Sequence, residues 1–263
     1  MAKIAIDAGH GLYTPGKRCL KSLDPAETRE WVLNDRIANI VIPPLKARGH
    51  EVLRLDDPTG KTDVSLNERT KKANAWKADY LVSIHQNAGV NGGSGGGCIV
   101  IRQTGAAGKS LELQKAIYNA VIKHTGLKGN RSNPMPTQNL HMTRESKMPA
   151  VLIECGFMDS STDVPIILST TFAEKCAAGI VEGILAVVGG EKGVEDTMTE
   201  KELEKLVEKK IAEKIAGTGT TVSASLKNEF AEAKAAGITD GSNPGGLVTR
   251  EQAAVMALRA SKK

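Results

Sequence analysis

The sequence predicts an α/β protein: a mostly parallel sheet with helices on both faces, followed by a small helical C-terminal module. Three observations lead there. Over residues 1–189, short β-branched apolar runs alternate with segments of helical period, the pattern of strands joined by crossover helices. The double glycine Gly189-Gly190 interrupts that pattern. Beyond it the chain turns charged and amphipathic, with the spacing of helices.

Each element has its own signal. KIAIDAG is the first strand, bounded by turn residues. Asn34–Arg48 follows with helical spacing, but Pro43 and Pro44 fall inside it and should kink or break it, since proline has no N–H to donate. HEVLRLD is the second strand and Leu66–Ala78 the second helix. DYLVSIH and GCIVIRQ are the third and fourth strands, Lys109–Thr125 the third helix, AVLIECG the fifth strand and Thr171–Val188 the next helix. Further on, Thr199 and Glu202 have capping-box spacing, and Leu203, Leu206, Val207, Ile211 and Ile215 share one face of a helix over Thr199–Ala216. Gly217–Thr221 reads as a linker, and Leu226–Ala236 and the segment from Thr249 as helices around the turn GITDGSNPGG. The implied division is a main domain at 1–189, an amphipathic helix and linker at 190–221, and a small module at 222–263. That module is too short to build much core, so it should pack on a partner or form a homo-oligomer.

Composition narrows the function. Of the 35 basic and 30 acidic residues, 12 of each lie from Glu191 onward, so the whole excess of +5 sits in the first 190 residues. A mildly basic domain suits an anionic partner such as an acidic cell wall. With aromatics at 3%, stacking platforms for single-stranded nucleic acid are not expected, and no nucleic-acid partner is. No apolar run approaches the roughly 18–20 residues of a membrane span, so no membrane insertion is expected. MAKIAIDAGHG lacks the pattern of a secretory signal, which implies synthesis in the cytoplasm and action outside only after release by something else. Cys19, Cys98, Cys155 and Cys176 stand far apart with no CxxC, against a zinc finger or dense disulfide framework, and read as buried, idle thiols.

Three strand candidates run into ligand-type side chains: KIAIDAG into His10, DYLVSI into His85, AVLI into Glu154. The C-terminal strand edges of an open α/β sheet line the ligand crevice, so these side chains can converge there. Two imidazoles and a carboxylate are the raw material of a catalytic zinc site, with a second carboxylate to take a proton from water. A single histidine after a strand is more commonly structural. Two with small flanking residues, in AGHG and SIHQNA, and a glutamate directly after an apolar run strengthen the functional reading, because a buried unpaired charge costs several kcal/mol.

IDAGHG, the segment ending in Arg29-Glu30-Trp31, SLNERTKKAN, ADYLVSIHQNA and PAVLIECGF resemble, in order, the motifs of the zinc-dependent N-acetylmuramoyl-L-alanine amidases, over roughly residues 2–188. AGHGLYTPGKR is similar to the phage-endolysin branch. The resemblance implies Zn2+ held by His10, Glu30 and His85, with Glu154 as the catalytic carboxylate. It implies cleavage of the amide between the lactyl group of N-acetylmuramic acid and the L-alanine of the stem peptide, in bacterial peptidoglycan. Glu30 with Asn34 after it fits the family ligand, and Glu27 is the competing choice. Gln86 and the double proline depart from the family pattern without touching a proposed ligand.

Other residues carry plainer readings. His50, in a helix-to-strand turn, should be solvent-exposed, and His124 should end a helix, where its charged form suits the dipole. His141 and Arg144 are candidate substrate residues, since NLHMTRE precedes the Glu154 strand. Cys155 should point to the opposite face from Glu154, into the core. NGGSGGG at 91–97 reads as a flexible loop at the cleft rim. AKAAGITDGSNPGGLVTREQAAVMALR resembles an S-layer-homology-like module, which implies binding to secondary cell-wall polymer. A bacterial autolysin or spore-lysis amidase shares the same chemistry. A zinc carboxypeptidase is a third reading, with Arg144 or Arg131 as the clamp for a terminal carboxylate.

Overall fold

The computed structural model describes residues 1–189. The expected helix over Thr199–Ala216, the linker and the module at 222–263 lie outside the described residues. In chain order the elements are β1 (Lys3–Ala8), α1 (Glu30–Ala47), β2 (Glu51–Arg54), α2 (Leu66–Ala75), β3 (Tyr80–Asn87), β4 (Ile99–Gln103), α3 (Lys109–Thr125), β5 (Thr137–Gln138), α4 (His141–Arg144), β6 (Ala150–Phe157), α5 (Val164–Ile167) and α6 (Thr170–Val188).

The strands form one six-stranded sheet in the order β2-β1-β3-β6-β4-β5. Every pairing is parallel except β4 with β6, which run antiparallel. The alternation of side chains along each strand divides the core in two. Ile4, Ile6, Val82, Ile84, Val151, Ile153 and Cys155 face α1, α3 and α6 and join their apolar residues in the larger cluster. Ala5, Leu81 and Ala150 face the other way, onto Ala73 of α2 and Met142 of α4. Helices therefore cover both faces, as the alternating pattern predicts. Among the described residues no helix is long and apolar enough to cross a membrane.

α1 differs from expectation at both ends. It opens at Glu30, four residues early, because the Glu30 N–H donates to the Lys17 carbonyl and the carboxylate sits in the first turn. It also runs through Pro43 and Pro44 without breaking. Those prolines withhold donors from the carbonyls of Asn39, which is exposed, and Ile40, which is half-buried, at the edge of the helix's packed face. Its inner face, Leu33, Ile37, Val41 and Leu45, stays buried. The Ser65 hydroxyl and the Glu68 carboxylate form a capping box that starts α2.

All four cysteines are buried and free. His50 is buried rather than exposed: its Nδ1 accepts the Ala2 N–H at 3.2 Å, drawing the ring under the start of β1. The 91–97 loop is fastened rather than loose. One oxygen of Asp159 accepts the amides of Gly89, Val90 and Asn91, Asn130 accepts that of Gly96, and Asp163 that of Gly97.

Candidate metal centre

β1, β3 and β6 are neighbours in the sheet, and their C-terminal ends bring the functional side chains together. His10 follows β1 by two residues, His85 lies near the end of β3, and Glu154 pairs directly with His85 across the β3–β6 ladder. Ser83, His85 and Glu154 alternate onto the α2 face, while Cys155 lies in the opposite core with its thiol pushed far up by burial. Glu30 arrives from the other direction, at the first turn of α1.

His10, Glu30 and His85 each offer a donor atom within 4.8 Å of the others. Oε1 of Glu30 lies 3.1 Å from Nδ1 of His85 and accepts the Gln86 N–H. Oε2 lies 3.3 Å from Nε2 of His10 and 3.8 Å from the Lys17 ammonium, yet this buried oxygen has no hydrogen-bond partner. The two imidazoles meet edge to face, with centroids 4.9 Å apart. Burial by itself would raise the pKa of Glu30, but the imidazoles on either side outweigh it and hold the carboxylate ionised, below its usual range. Burial of His85 acts against its charged form, and Glu30 reverses that, raising the imidazole's pKa. Asn34, one turn after Glu30, donates to the Gly9 carbonyl and accepts from the Gln86 side chain.

The backbone at this corner is special. His10 adopts φ 67°, the left-handed region that ordinary residues avoid. A Cβ on Gly9 would come within 2.1 Å of the His85 ring, so only glycine admits that ring. Beside the trio lies a cavity of about 310 Å³ lined by Asp7, Gly9, His10, Asp63, Val64, Ser65, Leu66, Arg69 and His85.

These residues fit a zinc ion. Two imidazoles and one carboxylate are a three-ligand set that leaves a fourth position open. The unpartnered Oε2 of Glu30 is a buried acceptor that lacks the donor its environment demands. Glu27, the competing choice, is engaged elsewhere, with Oε1 2.9 Å from Nε of Arg18. Glu154 stands apart from the trio, with Oε2 buried and unpartnered. Burial pushes its pKa up to about 7, with the Glu30 charge adding and His85 opposing.

His141 and Arg144 do not join this cluster. His141 lies on α4 with Nε2 3.4 Å from the Thr70 hydroxyl, and Arg144 is exposed, donating to Glu145 and Asn139. Arg131 stacks over the Phe157 ring. Neither Arg144 nor Arg131 is thus engaged with the trio as a carboxypeptidase clamp. The sequence reading missed Asp7, Gly9, Lys17, Asp63 and Arg69. The glycine and aspartate of IDAGHG and the arginine of NERTKKAN were visible signals, but a lone arginine in a polar helix reads as a solvated charge.

The family model for N-acetylmuramoyl-L-alanine amidases matches residues 4–186. The chain is 34% identical over 184 residues to the sporulation-specific N-acetylmuramoyl-L-alanine amidase of Bacillus subtilis strain 168, covering 70% of this chain and 67% of that protein. It is 30% identical over 205 residues to the endolysin of Bacillus phage SPP1, covering 77% and 72%. In structure it is similar to the N-acetylmuramoyl-L-alanine amidase of Clostridium difficile 630, with a TM-score of 0.64, 30% identity, and coverage of 73% of this chain and 98% of that one.

Proposed function

The chain belongs to the N-acetylmuramoyl-L-alanine amidase family, and from that premise we propose that it is a zinc-dependent endolysin. Its substrate is peptidoglycan, and it hydrolyses the amide between N-acetylmuramic acid and the L-alanine of the stem peptide. The observation that carries this reading is the convergence of His10, Glu30 and His85 within 4.8 Å, with Glu154 in register beside His85.

His10, Glu30 and His85 would hold the ion. When bound, zinc supplies Lewis acidity, which lowers the pKa of a water molecule and polarises the scissile carbonyl. Glu30 stays ionised and so brings a full negative charge to the site. Glu154 is the general base. Burial raises the proton affinity of its carboxylate, which suits a group that takes a proton from water and gives it up again. Its buried Oε2, unpaired in the fold, accepts the proton of the attacking water and returns it to the leaving amine of L-alanine. The tail at 222–263 attaches the enzyme to secondary cell-wall polymer.

A second reading is a bacterial autolysin or spore-lysis amidase with the same residues and chemistry, favoured by the likeness to the sporulation-specific enzyme. Digestion of purified Gram-positive walls tests the shared chemistry. Stem peptides with free N-terminal alanine, lost with chelation and restored by zinc, are the expected products. Released free amino acids would point to a carboxypeptidase. Lysis indifferent to chelation would overturn the metal centre.

A further inference from the structure

We propose that Arg69 is a positioning residue of the metal centre, its guanidinium fixing the left-handed turn that aims His10 at Glu30. The inference rests on the zinc reading above.

Arg69 lies on α2 and is 1% exposed, so its charge is withdrawn from water. A guanidinium has five N–H donors in a rigid fork. Arg69 makes five contacts with them: Nε donates to the Val64 carbonyl at 2.7 Å, one terminal nitrogen to Asp7 at 2.7 Å and the Ala8 carbonyl at 2.8 Å, the other to the His10 carbonyl at 2.7 Å and Asp63 at 3.3 Å. Two of these acceptors, the carbonyls of Ala8 and His10, bracket Gly9.

That bracket is where the site needs help. His10 sits at φ 67°, a strained conformation that persists only when its surroundings over-determine it. Gly9 is pressed under the His85 ring and contributes no side chain to hold the turn. The side chain of Arg69 supplies the missing constraint from behind. It also ties the turn to Asp63 and Val64, which line the cavity beside the ligands. A lysine in its place would keep the charge opposite Asp7 but, with one nitrogen, could not span both carbonyls.

The test is zinc affinity of the full chain, measured by competition with a fluorescent chelator, together with thermal melting with and without zinc. Arg69→Lys should weaken zinc binding by about 10- to 100-fold, the range for outer-shell partners, while still melting cooperatively. Ser83→Ala serves as the control. Ser83 donates to the other oxygen of Asp7, so its loss disturbs the same buried network without touching the turn. That variant should melt earlier yet bind zinc as the wild type does. A folded Arg69→Lys with wild-type zinc affinity, or a Ser83→Ala that loses zinc equally, overturns the proposal. If Arg69→Lys does not melt cooperatively, Asp7→Asn, which weakens the guanidinium's buried counter-charge, carries the test. Weaker zinc binding there supports the proposal, and unchanged binding overturns it. Failure of the wild type to bind zinc at all would instead refute the metal centre itself.

Discussion

The imidazole of His85 occupies the space that a side chain at Gly9 would need: a Cβ there would sit 2.1 Å from the ring. The two strand ends thus meet through a backbone on one side and an imidazole on the other. Gly9→Ala should displace the His85 ring from Glu30, destabilise the fold by roughly 1–3 kcal/mol as overpacking does, and reduce bound zinc. Metal content of the purified variant checks this, and a full complement of zinc would contradict it.

Glu154→Gln should keep zinc and lose turnover by about 10²–10⁴-fold, the range for a general base. The amide preserves shape but cannot accept the water proton. Turbidity of wall suspensions alongside zinc content reads both quantities. Unchanged lysis would remove Glu154 from the mechanism.

His10→Ala, His85→Ala and Glu30→Gln should each weaken zinc binding beyond the ~10–100-fold that outer-shell changes cost. Glu27→Gln should leave it unchanged, because Glu27 is paired with Arg18. Chelator competition distinguishes the two carboxylates directly.

His50 should work against stability as pH drops through the ordinary histidine range, opposite in sign to Glu154 and His85, whose raised pKa values favour the native state there. Burial lowers the pKa of His50, with the N-terminal ammonium and Arg48 adding to the effect. The native state therefore keeps the ring neutral, while the unfolded chain takes up a proton below its ordinary 6.5. At this residue the unfolded state binds more protons in that window, so its titration favours unfolding on acidification. From about pH 7.5 down to about pH 5.5 the urea midpoint of His50→Gln should rise relative to that of the wild type. A constant difference between the two would show that His50 contributes nothing.

The full chain should sediment with purified walls at moderate salt, and a chain ending at Gly189 should do so less well. Equal retention of the two would assign wall attachment to the first 189 residues and none to the tail.

The strands were legible because β-branched runs bounded by turn residues have few other uses, and Lys109–Thr125 is a helix with the bounds its spacing indicates. The two-residue strand Thr137–Gln138 and the short helices at His141 and Val164 carry too little periodicity to be seen. Pro43 and Pro44 misled because a proline's cost depends on which carbonyls it deprives, and that of Asn39 belongs to an exposed residue. His50 misled because its partner is a backbone amide 48 residues away. Within the site, His10, His85 and Glu154 stood at strand ends and could be read. Glu30 was preferred to Glu27 through the resemblance and the Asn34 that follows it, while the pairing of Glu27 with Arg18 is set by the fold. Arg69 stood in a visible motif, but what its donors meet is likewise set by the fold.

The position of β6 has a consequence for synthesis. Among the described residues it is the last strand, yet it lies between β3 and β4, in the middle of the sheet. A nascent chain that has emerged only as far as β3 already carries both histidines and Glu30. It has no Glu154 until β6 leaves the ribosome and inserts between strands made long before. The parts that would hold the metal are therefore translated first, and the group that would use it comes last.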